Sequence, residues 1–448
     1  MIITWKITVN KLCDKRWNYA NIDLIKGRTG TCCLPPTIKI TNQDINDYGL
    51  DVFVNHPYLK KRRLEMFKNL QHPDCKTCWN LEQAGATSMR GNSDTNYLNN
   101  VYSTYKTDNN LSTICNEIDE NSEYLESKEI DLLEISIGST CDLKCVYCSK
   151  NCSSQWALED FANNNITKEE FKSLTRKDVD PAIDKVFWEW YNDFAKFNVK
   201  HINIKGGEPL VIPYFYEIME KLIMYSNDSA DFDVTIITNL NTSNEARINL
   251  FFDYLVQLQK TRLVHVYVSM ESLYEKAEYI RNGLQWENFE KNLRNLIVLS
   301  RQNSNINVAF MPTINLLSIT SLPKFVIWIK ELQEQYHGLL TAKCNMADNE
   351  FSPLNLTYHF AKYTQEALDT IKFMRDKRFP GQWDWQNFYK HIEGIHNVIE
   401  SNINLDAINT KSIKKLINLL EKIDKNRHTD YKVTFKDYLK FFDKVQAI

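Results

Sequence analysis

Ser136-Ile-Gly-Ser-Thr-Cys141-Asp-Leu-Lys-Cys145-Val-Tyr-Cys148 is the stretch on which the reading of this chain turns. It follows an apolar run, 132–137, that reads as a strand. Three cysteines at C-x3-C-x2-C spacing after a strand form a metal loop. Three thiolates can hold three irons of a [4Fe–4S] cube and leave the fourth iron open, whereas four cysteines close the cluster. Soft thiolates also suit zinc, so spacing alone leaves both metals open.

Working outward, strand-like runs recur at 201–205, 232–238, 263–270, 306–312 and 339–345. Helical periodicity fills the intervals. Val186, Phe187, Trp190, Tyr191, Phe194 and Phe197 make one stripe, and Ile248, Phe251, Phe252 and Leu255 another. Trp286, Phe289, Leu293, Leu296 and Ile297 make a third, and Phe325, Trp328, Ile329 and Leu332 a fourth. These rings and aliphatics read as core. Six strands alternating with helices predict an α/β fold with a parallel sheet. Six units are too few for a closed eight-fold barrel, so a partial (β/α)6 barrel is expected over 131–350. Ligands then sit at the carboxyl ends of the strands.

Polar residues stand at those ends. Lys205-Gly206-Gly207-Glu208-Pro209 closes the second strand, Thr238-Asn239 the third, and Ser269-Met270-Glu271 the fourth. Tyr279-Ile280-Arg281-Asn282-Gly283 follows, then Trp286 and Asn292. Glycine lets the backbone approach a ligand closely, and a carboxylate such as Glu208 accepts a charge-assisted hydrogen bond from an ammonium group.

A second cysteine set precedes the first. Cys13 and Cys32 flank Gly27 in C-x13-G-x4-C, and Cys75-Lys-Thr-Cys78 comes later with Glu82, Gly85, Ser88 and Arg90 behind it. Cys33 competes with Cys32, the G-x4-C spacing favouring Cys32. Four thiolates can close a second [4Fe–4S] cluster, and a structural zinc site is the rival.

The cysteine loop after the first strand, with GGEP after the second, resembles the radical S-adenosylmethionine (SAM) superfamily. The resemblance implies an enzyme whose cluster, on Cys141, Cys145 and Cys148, binds SAM through its open iron and cleaves it to methionine and a 5′-deoxyadenosyl radical. That radical abstracts hydrogen from a substrate. The cofactors carry the hard chemistry and the protein positions them. By the same resemblance Tyr147 lies near the adenine; Gly206, Gly207, Glu208 and Pro209 receive the SAM amine; Thr238, Asn239, Ser269 and Glu271 serve the pocket and ribose; and Arg281 pairs with the SAM carboxylate. The strand at 307–311 is the expected adenine wall.

Cys13, Cys32, Cys75 and Cys78 resemble the auxiliary-cluster region called twitch, a shortened SPASM domain. Here it lies before the barrel rather than after it, as in a branch with an N-terminal twitch-like segment. Such relatives often modify peptides or proteins, which makes a polypeptide the expected substrate and a flavodoxin- or ferredoxin-type protein the expected electron donor. A nucleotide, sugar or other small metabolite is the rival substrate. A non-catalytic iron–sulfur protein is the rival of another class, and Glu208 with Arg281 beside an intact triad argues against it.

Composition bounds the rest. The 448 residues carry 54 basic and 57 acidic side chains, a net charge of −3 that argues against a nucleic-acid or anionic-membrane partner. No apolar run reaches the roughly 18 residues of a spanning helix. Residues 1–12 alternate as a strand, without the apolar core or cleavage site of a leader, so a cytoplasmic setting is expected. Eleven cysteines, clustered rather than scattered, fit metal ligation in a reducing compartment. The expected organisation is a loop-rich twitch-like region over 1–100, a polar linker over 101–130, the barrel over 131–350 and a helical region over 351–448. That last region carries the stripes Ile413, Leu416, Ile417, Leu420, Ile423 and Phe435, Tyr438, Leu439, Phe442, Val445. Cys152 reads as an incidental thiol. Cys115 and Cys344 read first as core thiols and second as hydrogen donors.

Overall fold

The computed structural model describes residues 13–68, 70, 72–83, 88, 90, 119–121, 125–226, 231–258, 261–336, 340–342, 345–347, 349–376, 382–405 and 409–448. The strand expected at 1–12, most of the linker at 101–130, and Gly85, Cys115 and Cys344 lie outside these residues.

In chain order the first strands are β1 (Tyr19–Asp23), β2 (Arg28–Gly30), β3 (Ile38–Lys39) and β4 (Leu132–Ser136). Then come β5 (Lys144–Cys145), β6 (His201–Lys205), β7 (Asp233–Thr238), β8 (Leu263–Val268) and β9 (Arg281–Asn282). The last are β10 (Ile306–Phe310), β11 (Thr313–Ile314), β12 (Leu340–Ala342) and β13 (Asn345–Met346). All six expected strands are present as β4, β6, β7, β8, β10 and β12, with helices between them, and the fold is mixed α/β around a central parallel sheet.

The chain divides into two compact units that interleave in sequence. The first comprises 1–138, 176–205 and 227–234, and the second 139–175, 206–226 and 235–448. In the first unit the strand order is β3-β2-β1-β4-β6. β1 runs parallel to β4, with Tyr19 opposite Leu132, and β4 parallel to β6, with Leu132 opposite His201. β2 is antiparallel to both β1 and β3. The N-terminal region is therefore less loop-like than its sequence suggests. Tyr19-Ala-Asn-Ile-Asp has no period-2 pattern because both of its faces are buried. Phe53 explains why 181–193 joins this unit: it packs on Phe187 at 5.8 Å and Trp190 at 5.5 Å between ring centroids. Of the expected stripe, Phe197 alone is strongly exposed, at 69%, because the helix Pro181–Asp193 ends before it.

In the second unit β8 and β12 run parallel to β10. Alternate residues of β8 are buried, and the helix Trp286–Gln302 buries Trp286, Phe289, Leu293, Leu296 and Ile297. The helix Leu322–Tyr336 buries Phe325, Trp328, Ile329 and Leu332. The expected C-terminal helices are present, and Thr410–Arg427 buries Ile413, Leu416, Ile417, Leu420 and Ile423. No described helix is long and apolar enough to cross a membrane.

Candidate functional site

The cysteine loop is built by hydrogen bonds that its sequence encodes locally. Ser153 caps the helix Ser154–Ala162 and donates its hydroxyl to the Leu143 carbonyl at 2.6 Å. Ser154 Oγ accepts from the Cys141 amide at 3.1 Å and donates to the Cys141 carbonyl at 3.2 Å. Trp156 Nε1 donates to the Cys145 carbonyl at 2.7 Å. The Cys148 amide donates to that same carbonyl at 3.0 Å, turning the chain so that the third thiol follows the second. Cys145 lies in β5, antiparallel to β9, opposite Arg281.

The three thiols are half-buried. Burial pushes the Cys145 thiol up to about 11 despite the nearby Arg281, and burial together with Cys145 pushes Cys141 well up. Thiolates that disfavour one another in this way are stabilised by a coordinating cation. Among the described residues no three His, Cys, Asp or Glu side chains converge closely enough to hold a single ion. A cube that takes one thiolate per iron does not ask for that convergence.

The GGEP turn packs directly on this loop. Glu208 donates its amide to the Thr140 carbonyl at 2.8 Å. A Cβ at Gly207 would overlap the Thr140 oxygen and lie 2.7 Å from that of Ser139, so only glycine fits there. Glu208 is 2% exposed. It accepts from the Thr238 hydroxyl at 2.6 Å, the Asn239 amide at 2.6 Å and the Leu210 amide at 3.1 Å. Asp142, which sequence reasoning passed over, accepts from Asn239 Nδ2 at 2.8 Å and Asn241 Nδ2 at 3.0 Å. Leu240, between these asparagines, holds φ +54, a left-handed conformation costly for a non-glycine residue.

Burial and the Asp142 charge push Glu208 up to about 8. Its partners here are neutral, and among the described residues no Lys or Arg pairs with Glu208 or Asp142. Two neighbouring carboxylates held this way are suited to a small cationic ligand. The shift has a stability consequence. The folded chain holds a proton on Glu208 that the unfolded chain loses above the ordinary 4.5. Stability contributed by this proton is complete below 4.5 and is lost as pH rises towards about 8. Glu208→Gln should therefore flatten the fall in melting temperature between pH 5 and 8.5 in ligand-free protein. Parallel wild-type and variant curves would contradict the assignment.

Glu271 and Arg281, read separately in the sequence, are each other's partners. Arg281 Nη2 lies 2.5 Å from Glu271 Oε2, and both side chains are almost fully buried. The Tyr147 hydroxyl donates to Glu271 at 3.3 Å, and Arg281 Nη1 faces Cys145 Sγ at 3.8 Å. Arg281 Nε is buried without a hydrogen-bond partner. Thr238 and Asn239 meet Glu208, while the Ser269 amide donates to the Thr238 carbonyl at 2.9 Å. Asn292 ties down the Leu240 and Thr242 carbonyls at 2.9 and 2.8 Å.

In the first unit Cys13, Cys32, Cys75 and Cys78 line one pocket, together with Arg16 and Arg90. Arg16 Nη2 donates to Cys75 Sγ at 2.9 Å. Arg90 lies 3.9 Å from the Trp79 ring centroid and pairs with Glu82, whose carboxylate also accepts from Ser88 at 2.6 Å. Cys33 is not among the lining residues, and its thiol is exposed.

A model of the radical SAM superfamily matches residues 135–322. A GTP 3′,8-cyclase of Campylobacter lari is 25% identical over 219 residues, covering 47% of this chain and 58% of that protein. A GTP 3′,8-cyclase of Desulforamulus reducens is 29% identical over 147 residues, covering 33% and 36%. This chain thus spans less than two thirds of the curated relatives it matches. Among solved structures, Streptococcus suis SuiB aligns at a TM-score of 0.38 with 12% identity, covering 81% of this chain and 69% of that one. Native anSMEcpe with bound AdoMet and a Cp18Cys peptide aligns at 0.34 with 16% identity, covering 56% and 61%. The superfamily is catalytic and uses a [4Fe–4S] cluster with SAM; residues 135–322 form a radical SAM superfamily domain.

Proposed function

We propose that this chain cleaves SAM reductively and uses the resulting radical to take hydrogen from a substrate, with Cys141, Cys145 and Cys148 as the cluster ligands. When bound, the cluster with its open iron supplies the electron for that cleavage. The observation that carries the reading is that buried Glu208, on the turn that packs against the cysteine loop, and half-buried Asp142, in that loop, have no Lys or Arg paired with them among the described residues. Glu208 and Asp142 would receive the ammonium of SAM, while Asn239 and Asn241 fix Asp142. Arg281 holds Glu271 through Nη2, and in this reading its guanidinium would also meet the SAM carboxylate. Tyr147, on the same Glu271, has its ring centroid 5.7 Å from that guanidinium, and in this reading the adenine of SAM would lie near it. Gly206, Pro209 and Ser269 complete the pocket as backbone and strand-end positions.

In the same reading Cys13, Cys32, Cys75 and Cys78 hold an auxiliary [4Fe–4S] cluster in a twitch-like region. The support is their shared pocket and the two arginines that line it, which suit an anionic thiolate cluster. Zinc is the rival occupant. A polypeptide is the substrate proposed, and a flavodoxin- or ferredoxin-type protein the electron donor, in a reducing compartment. A nucleotide substrate is the second reading, favoured by the names of both curated relatives.

Anaerobic reconstitution tests this. Two four-iron clusters require about eight irons per chain, and reduced protein with SAM should release 5′-deoxyadenosine. Stoichiometric zinc with half that iron would remove the auxiliary cluster. Absence of 5′-deoxyadenosine from a fully loaded protein would remove the central reading. Conversion of GTP, with no change in candidate peptides, would select the nucleotide substrate.

A further inference from the structure

The helix Thr410–Arg427 lies beyond residues 135–322, yet its last residue reaches the cysteine loop. Arg427 has a side chain only 1% exposed. Its Nε donates to Glu159 Oε2 at 3.0 Å, its Nη2 to Glu159 Oε1 at 3.4 Å, and its Nη1 to the Lys144 carbonyl at 2.9 Å. The guanidinium carbon lies 4.5 Å from the centroid of Trp156, whose Nε1 holds the Cys145 carbonyl. Lys144 Nζ closes the network on Glu159 Oε2 at 2.7 Å. Two consecutive carbonyls of β5, those of Lys144 and Cys145, are thus held from one buried arginine, directly and through the indole on which it stacks.

The same helix end also holds the helix that leads into the strand opposite, Tyr274–Ile280. Asp424 Oδ1 accepts from the Tyr279 hydroxyl at 2.9 Å, and Asp424 Oδ2 from the Tyr431 amide at 2.8 Å. Tyr279 stands two residues before Arg281, which pairs with Cys145 in the β5–β9 ladder. β5, which carries the middle cysteine, and the helix Tyr274–Ile280, which leads into its partner strand β9, are therefore anchored to one helical turn. A buried, forked guanidinium on a carboxylate and a carbonyl is a strong, directional constraint. With Lys144 and Glu159 the group carries one net positive charge. A positive charge beside an anionic centre favours its reduced form.

We propose that Arg427 is a positioning residue for the cysteine loop: it sets the geometry of β5 and raises the reduction potential of the metal centre bound there. The second part rests on the cluster reading above; the first does not. In Arg427→Gln, without metal, amide exchange at Val146 and Cys148 should accelerate by about tenfold or more, since charge-assisted hydrogen bonds of a locally opening segment are lost. Arg427→Lys, which keeps the charge but not the fork, should accelerate exchange as well. In reconstituted protein Arg427→Gln should retain less iron and show a more negative potential by redox titration followed by electron paramagnetic resonance. Arg427→Lys should keep a potential near that of the wild type. Melting curves separate these effects from general unfolding, and Glu159→Gln provides a second route to the same exchange phenotype should Arg427→Gln fail to fold. Wild-type exchange rates in folded Arg427→Gln overturn the positioning role. An unshifted potential in an equally loaded variant overturns the electrostatic role. A wild-type chain that binds no cluster rejects the functional reading and leaves the exchange experiment to decide the loop claim.

Discussion

Cys145→Ala should abolish release of 5′-deoxyadenosine from SAM while the chain stays folded. Cys145 is the middle thiol, placed in β5 rather than in the flanking turns. Its removal leaves two thiolates for a cube that needs three, so a loaded cluster with an open iron does not persist. The loop itself does not depend on the sulfur. Its supports act through the backbone, with Trp156 on the Cys145 carbonyl and the Val146 amide on the Ile280 carbonyl at 2.8 Å. Truncation to Ala at a half-buried position removes little packing, so the melting temperature should fall by only a few degrees, roughly the effect of about 1 kcal/mol in a domain of this size. The measurement is product release by chromatography under reducing, anaerobic conditions, alongside iron content and melting. A variant that releases as much 5′-deoxyadenosine as the wild type would end the assignment of the triad.

Replacement of Cys32 and of Cys33 should give opposite results. Cys32→Ala is expected to lower the iron content from about eight to about four per chain, because a four-iron cluster on three of four thiolates in a partly open pocket is readily lost. Cys33→Ala is expected to leave iron unchanged. Cys32 lines the pocket with Cys13, Cys75 and Cys78, and Cys33 does not. The Cys33 thiol is exposed and is drawn down to about 6 by its hydrogen bond with Cys32, ahead of the attraction of Lys205. A vicinal thiolate of that kind is reactive, so Cys33 should alkylate before Cys32 in the metal-free chain. Iron loss on Cys33→Ala with retention on Cys32→Ala would exchange the two roles. Loss of zinc instead of iron would replace the cluster by a structural zinc site.

The thiol spacings, the strand before Cys141 and the GGEP turn after the second strand are local features, so the chemistry they imply is legible residue by residue. The six strands were legible for a related reason, since each is a short apolar run bounded by polar strand ends. β1 was not: a strand buried on both faces that includes Asn21 and Asp23 carries no alternation to read. Likewise Phe197 follows the helical period of its neighbours, but the helix stops at Asp193 and leaves it exposed.

Pairings between distant positions needed the tertiary structure. Glu271 and Arg281 are ten residues apart and read as separate ligand positions, yet in the fold they pair with each other. Asp142 carries no signal of its own between two cysteines, and only the fold brings Asn239 and Asn241 to its carboxylate. The C-terminal helices carry only apolar stripes in the sequence, and nothing there sets Arg427 apart from the other basic residues. Sequence by itself determined which thiols, glycines and carboxylates this protein owns and which strand end carries each, because those follow from spacing and period. Folding alone decided which charges face one another, because a buried charge takes its partner from whatever the packing brings within reach, however far away in the chain.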